Sequence, residues 1–380
     1  MITLREVAET DIIPLAEFLA KNYSLNLVKA VPQITTKEFW VHRFEFWWNL
    51  NPAYTDQFPR GWVIEKDTSI VGFIGNIPVK FLIRGEVRIA AASNNWYVDP
   101  SIRGLYSLRL FNEFMKQKSA SLLLFKKDIG SLMKILHKYK FEEYILPRYQ
   151  KEYVFIIDKK KVGLIFFKFL FNNQRPKLSK LVEYYKRLGF LFFGYLYQKP
   201  VIRGSVSQGE SFTTSTCSFC DDSFSRIWEP YLNSYDLSLS RDTSTLNWLY
   251  FSSVGLGERI VIQCRRSSDK TLAGYMVFDV QRLIPSNEGS LQLMDMCIED
   301  DDPQILASLT SFAIEIGKQN KAALLVMWGN SRESEAYFRS TFTLRRTAQY
   351  HRYIRFPDPH DMNSGLNFSG NLCPTLIYPA

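Results

Sequence analysis

The chain has 380 residues, 46% of them hydrophobic and 22% charged, the make-up of a folded protein of two or three domains and not of a disordered one. Its formal charge is +9, and residues 158–205, with eleven Lys and Arg against two acids, carry all of that excess; the balanced remainder argues against a general nucleic-acid-binding surface. Five cysteines in so long a chain are no disulfide framework, the start lacks a signal peptide's basic head and apolar stretch, and no run reaches the roughly 20 apolar residues that span a bilayer, so a cytoplasmic location is expected.

Residues 2–7 alternate apolar and polar as a strand does, and a helical pattern follows over 11–20. Thr36 is placed to cap a second helix that runs to Trp48 and ends at Asn51-Pro52. Its rings, from Phe39 to Trp48, fall on more than one face, as in a helix packed on both sides. Strand-like runs come next at 61–65, 70–77, 79–84 and 87–98, with hairpin turns at 66–69 and 84–86. After Asp99-Pro100, Leu105, Leu108, Phe111 and Met115 repeat at helical spacing. A buried strand at 121–125, a helix at 131–139 and a strand-like stretch at 141–157 complete the first half.

Residues 158–205 break this rhythm with two short apolar blocks joined by a basic, Pro-containing stretch, and 206–215 is small and polar like a linker. The second half then repeats the order of the first. It has a helix at 223–232, an aromatic run at 246–251, strands at 260–263, 272–280 and 291–298, and a helix at 304–316. A strand at 323–328, a helix at 333–340 and strands within 344–354 follow, and the tail from Pro357 reads as irregular. A repeat this long is a duplicated domain rather than a solenoid. The expected division is a first domain at 1–157, a connecting segment at 158–205, a second domain at 206–357 and a tail at 358–380.

WYVDPSIRGLYSL, from Trp96 to Leu108, resembles the central motif of the GNAT acyltransferase superfamily, where a strand runs through a glycine-containing loop into a helix. Free N–H groups and the positive dipole end of such a helix favour an anion. The resemblance implies acyl-CoA, acetyl-CoA among others, with its pyrophosphate at Val98, Arg103, Gly104, Leu105, Tyr106, Ser107 and Leu108. Tyr106 and Leu108 stand where the family has glycine or another small residue, so their side chains must point away from the ligand. Asn330 to Phe342 resembles the family's N-x6-Y-x4-F pattern, which makes Tyr337 the implied proton donor to the departing thiolate. Asn94 and Asp99 are the polar candidates near the acceptor amine, and Asp99 can equally cap the turn before the helix. In the second half, Glu299 and three following aspartates occupy the corresponding corner and would repel a pyrophosphate.

The expected architecture is therefore α/β, of the α+β kind: two tandem GNAT-like domains, each a mixed, mostly antiparallel sheet flanked by helices. The implied activity is acyl transfer from acyl-CoA to an amine, with a sugar or surface-polysaccharide precursor as one class of acceptor. Two rival readings use other chemistry: aminoacyl transfer from tRNA to a cell-wall precursor, and a non-catalytic binding module on the same scaffold. The 158–205 segment is a candidate for peripheral contact with an anionic membrane, or for an apolar interdomain connection. No metal is expected, because Cys217-x-x-Cys220 lacks a second ligand pair.

Overall fold

The computed structural model describes residues 1–22, 35–126, 130–145, 151–162, 211–234, 237–252, 258–283, 288–329, 331–342, 344–347 and 351–355. The expected basic segment beyond 162, Asn330 and the tail beyond 355 lie outside the described residues.

In chain order the first half forms β1 (Ile2–Glu6), α1 (Ile12–Asn22), α2 (Lys37–Phe44), β2 (Gly61–Lys66), β3 (Ser69–Ile83) and β4 (Glu86–Val98), then α3 (Leu105–Lys116), β5 (Leu122–Lys126), α4 (Gly130–Lys138), β6 (Glu142–Ile145) and β7 (Lys151–Ile156). The rest forms β8 (Phe212–Cys217), α5 (Asp222–Arg226), β9 (Leu237–Leu239), α6 (Thr243–Phe251), β10 (Glu258–Arg266), β11 (Leu272–Leu283) and β12 (Glu288–Ile298), then α7 (Pro303–Gln319), β13 (Ala322–Trp328), α8 (Arg332–Thr341), β14 (Leu344–Thr347) and β15 (His351–Arg355).

Two sheets result. One has the order β1-β2-β3-β4-β5-β15-β6 with β9 added on β3, and the other the order β8-β10-β11-β12-β13-β7-β14. The orders are the same, strand for strand, and in each sheet the one parallel pair among the described strands is the fourth with the fifth. The expected duplication is therefore present in the strand order, with one exchange. The last strand of each half of the sequence pairs in the sheet of the other half: β15 lies between β5 and β6, and β7 lies between β13 and β14.

This exchange corrects the expected strand-like stretch at 141–157, which is two strands in two different sheets, and it divides the strands expected within 344–354 between the two sheets. The described residues accordingly divide into a first unit of 1–145, 229–252 and 351–355, and a second of 151–228 and 258–347. Residue 157 lies inside the second unit. The physical reason is backbone pairing: β5 must satisfy its second edge, and β15 does so from Arg352 to Arg355.

The segment 229–252 joins the first unit through β9 and α6. β9 pairs with β3 from Phe81 to Ile83, and the Trp248 indole donates to the Phe46 carbonyl at 2.7 Å while its ring stacks on Phe46. Thr36 caps α2 as expected, but the helix widens into a π turn over Glu45–Asn49 instead of continuing regularly. The wider turn buries Phe46, Trp47 and Trp48 together, and the Trp48 indole reaches the Asn76 carbonyl of β3 at 3.0 Å.

The two expected strands at 70–77 and 79–84 are a single strand, β3, with Pro78 inside it. The Asn76 N–H faces the β2 side, donating to the Arg60 carbonyl, so the nitrogen of Pro78 faces that side too. There β2 has ended at Gly75 and β9 begins only at Phe81, so the missing N–H removes no ladder bond. The presumed linker at 206–215 in fact leads into β8, the edge strand beside β10. The expected helix at 223–232 is the short α5 followed by a 3-10 turn, Glu229–Ser234.

Ile354 is buried at the centre of β15, opposite Leu124 and Glu142. Ile354→Asp is expected to destabilise the protein by about 3–5 kcal/mol. Hydrogen exchange should then show lost protection in β5 and β6, both far away in sequence; loss confined to the neighbouring β14 would contradict the exchanged pairing.

Candidate functional site

The strands β4 and β5 pair only from Ala90 to Ala92 against Leu122 to Leu124, although β4 continues to Val98. They part at Ala92 and leave a wedge that opens toward the end of β4. Beyond the pairing with β5, β4 bulges against β3: two residues, Asn95 and Trp96, face the single Ile74. Asn95 takes φ +49°, a conformation asparagine tolerates, and its N–H donates to the Asn94 side-chain oxygen at 2.9 Å. Asn94 therefore holds the bulge.

Past Val98 the chain turns. The Asp99 N–H donates to Val71, and the Asp99 carboxylate accepts from both the N–H and the hydroxyl of Ser101, at 2.8 and 2.6 Å. These bonds, the hydroxyl first, hold the Asp99 carboxyl below the usual range. Arg103 donates through Nε to the Val98 carbonyl at 3.1 Å, and its guanidinium lies over the Tyr97 ring.

Gly104 then starts α3 at φ +87°, ψ −101°, a region that L side chains rarely adopt. A Cβ there would meet nothing within 4 Å. Backbone strain, not crowding, requires the glycine, and the space in front of the turn is open. No side chain caps this helix and no acid stands in its first turn, so the N–H groups of Leu105, Tyr106 and Ser107 carry the positive helix end outward. Tyr106 packs on the apolar cluster beneath α3 and Leu108 lies on the exposed face. The two bulky residues thus point away from those N–H groups.

No protein family profile matches this sequence, and no curated protein matches it. Solved structures do match. A probable N-acyltransferase from Enterococcus faecalis V583, otherwise described as a conserved protein of unknown function, aligns with TM-score 0.55 and 11% identity over 95% of this chain and 74% of its own. Saccharomyces cerevisiae N-myristoyltransferase with bound myristoyl-CoA aligns with TM-score 0.53 and 11% identity over 94% and 82%. A GCN5-related N-acetyltransferase from Anabaena variabilis ATCC 29413 aligns with TM-score 0.53 and 10% identity over 94% and 73%. The chain has the GNAT N-acyltransferase fold.

The two GNAT-like units differ at the corner after the fourth strand. In the second unit β12 also bulges, at Met294, and also parts from β13 beyond Gln292. There, however, the helix start is already occupied: the Asp302 carboxylate accepts from the Gln304 N–H at 2.7 Å and Pro303 removes a donor. Glu299 pairs with Arg266 at 2.6 Å, and Asp300 and Asp301 take positive φ. Such a corner offers a carboxylate where the first unit offers free N–H groups.

Of the other polar candidates, Tyr337 stands on α8 in the second unit. Its hydroxyl is buried beside the Thr341 and Thr310 hydroxyls, without reaching good hydrogen-bond geometry to either. Burial pushes its pKa up and keeps it protonated. Asp295 is fully buried on β12, with the Tyr275 hydroxyl at 3.5 Å. Burial raises the Cys217 thiol to about 11 and the Cys220 thiol higher still, so neither is a ready thiolate. The sequence motif contained Trp96, but only the bulge and the parting strands reveal its position between β4 and β5.

Ser101→Ala is expected to raise the Asp99 titration midpoint toward 3.8, its ordinary value, as read by carboxyl NMR. The stabilisation from ionised Asp99 is complete above 3.8 and is lost as pH falls through the lower folded midpoint. The variant should therefore match the wild type in the pH dependence of stability at neutral pH and differ only in acid.

Proposed function

We propose that the protein is an N-acyltransferase that takes its acyl group from acyl-CoA, acetyl-CoA being the simplest such donor, and binds it in the first unit. The observation that carries the reading is the uncapped start of α3, open in front of Gly104 and placed at the mouth of the wedge between β4 and β5. The N–H groups of Leu105, Tyr106 and Ser107 would hold the pyrophosphate, with Gly104 keeping the turn and Arg103 adding charge at its edge. When bound, the thioester supplies the activated acyl group. The pairing of β4 with β5 stops at Ala92, and the pantetheine arm would run along β4 beyond that point, on the side away from β3.

The acceptor is an amine, which must be neutral to attack. Asn94, fixed against Asn95, presents a rigid polar group beside the bulge, where a substrate is oriented. Asp99 is a weak proton acceptor because Ser101 holds its carboxyl low, so its main task is to shape the turn into α3. The fold similarity and this site support acyl transfer to nitrogen; a sugar amine of a surface polysaccharide is one acceptor of the right chemistry. Tyr337 has no part in the donor site proposed here.

Isothermal calorimetry with coenzyme A and acetyl-CoA tests the reading. Binding at millimolar affinity or better is expected, and Gly104→Val should weaken it by about 1–3 kcal/mol, because a β-branched residue cannot hold that backbone without strain. Equal binding by Gly104→Val would move the site elsewhere, and no binding by the wild type would remove the acyl-CoA reading.

A further inference from the structure

Each unit carries a tryptophan at the place where its two parallel strands part, and the two are used differently. In the second unit Trp328 of β13 donates its indole N–H across the gap to the Leu293 carbonyl of β12 at 2.7 Å. That bond satisfies the first β12 residue beyond the parallel pairing and ties the strands together. In the first unit the tryptophan is Trp96, on β4. Its ring stacks on Phe111 of α3, with centroids 5.2 Å apart and planes at 20°, and meets Phe125 of β5 nearly edge-on at 6.5 Å. It thus reaches from one parting strand toward the other. Its Nε1 is shielded from solvent and has no acceptor among the described residues.

A buried N–H without an acceptor has lost its water and gained nothing in return, so a native structure seldom keeps one without a use. Stacking on Phe111 needs only an aromatic ring, which phenylalanine would supply without bringing a donor. The wedge beside Trp96 is also where the proposed donor runs, and the pantetheine arm brings carbonyl oxygens along its length. We propose that the Trp96 indole N–H donates a hydrogen bond to a carbonyl oxygen of the acyl-pantetheine arm between β4 and β5. Trp96 then acts as a positioning residue for the acyl donor, and in the second unit Trp328 has closed the equivalent gap from the other strand. The inference rests on the acyl-CoA reading of the first unit.

Trp96→Phe, made in the full chain, keeps an aromatic ring against Phe111, though a smaller one, and deletes the donor. The lost indole area lowers the melting temperature somewhat whatever the N–H does, so affinity is the readout: the folded variant should bind coenzyme A or acetyl-CoA about tenfold more weakly by calorimetry. A loss for both ligands assigns the bond to a pantetheine amide carbonyl; a loss for acetyl-CoA alone assigns it to the thioester carbonyl. A purely structural role would leave the affinity of the folded protein unchanged, and unchanged affinity overturns the proposal. A second measurement covers a variant that fails to fold. In wild-type protein the indole N–H resonance of Trp96 should move downfield on saturation with coenzyme A, and a resonance that stays in place overturns the proposal equally. Wild-type protein that binds neither ligand removes the donor reading itself and this role with it. That failure is distinct from wild-type binding that Trp96→Phe retains.

Discussion

The parallel ladder between β4 and β5 ends at Ala92, and the arrangement of the first unit's site depends on that early end. Two strands that stay paired leave no backbone for a ligand; two that part leave a wedge lined with N–H and C=O groups. The bulge at Asn95 and Trp96 bends β4 further, the Asx turn at Asp99 reverses the chain, and Gly104 aims α3 back at the wedge. Each step is local, and together they bring the uncapped helix end, the open strand backbone and the Trp96 indole to one corner.

The second unit shows how little must change for the same topology to lose that corner. Its strand order, parallel pair and bulge are the same. Its helix start is capped by Asp302, its turn carries Glu299 to Asp301, and the Trp328 indole closes the gap to Leu293. A carboxylate that already accepts from the Gln304 N–H both takes up that donor and repels a phosphate. The backbone is conserved between the units while the electrostatics of the corner are reversed.

Pairing demands account for the odd path of the chain. A strand edge left open in a sheet exposes a row of unsatisfied groups. β15 supplies the missing partner of β5, β7 supplies that of β13, and β9 covers the part of β3 beyond the reach of β2. The aromatic residues of the π turn after α2 are the apolar counterpart: Phe46 receives Trp248 from a segment two hundred residues later. Among the described residues, rings from Phe44 to Phe125 fill such packing positions.

Residue patterning alone was enough for most of the elements, for the duplicated order of the two halves and for the contrast between the Gly104 and Asp302 corners, because periodicity, caps and charge are local properties. The stretch from Trp96 to Leu108 also marked the turn that leads into α3. Which sheet β7 and β15 join is not local: both are short alternating runs that fit either sheet, and only the competition for free strand edges decides between them. Pro78 inside β3 misled for the same reason, since its missing N–H is harmless only where β2 has stopped and β9 has not begun. In the sequence Trp96 was only the first residue of the motif. That its N–H lacks an acceptor while the N–H of Trp328 has one was decided by tertiary structure alone, because the answer depends on how far two strands run together before they part.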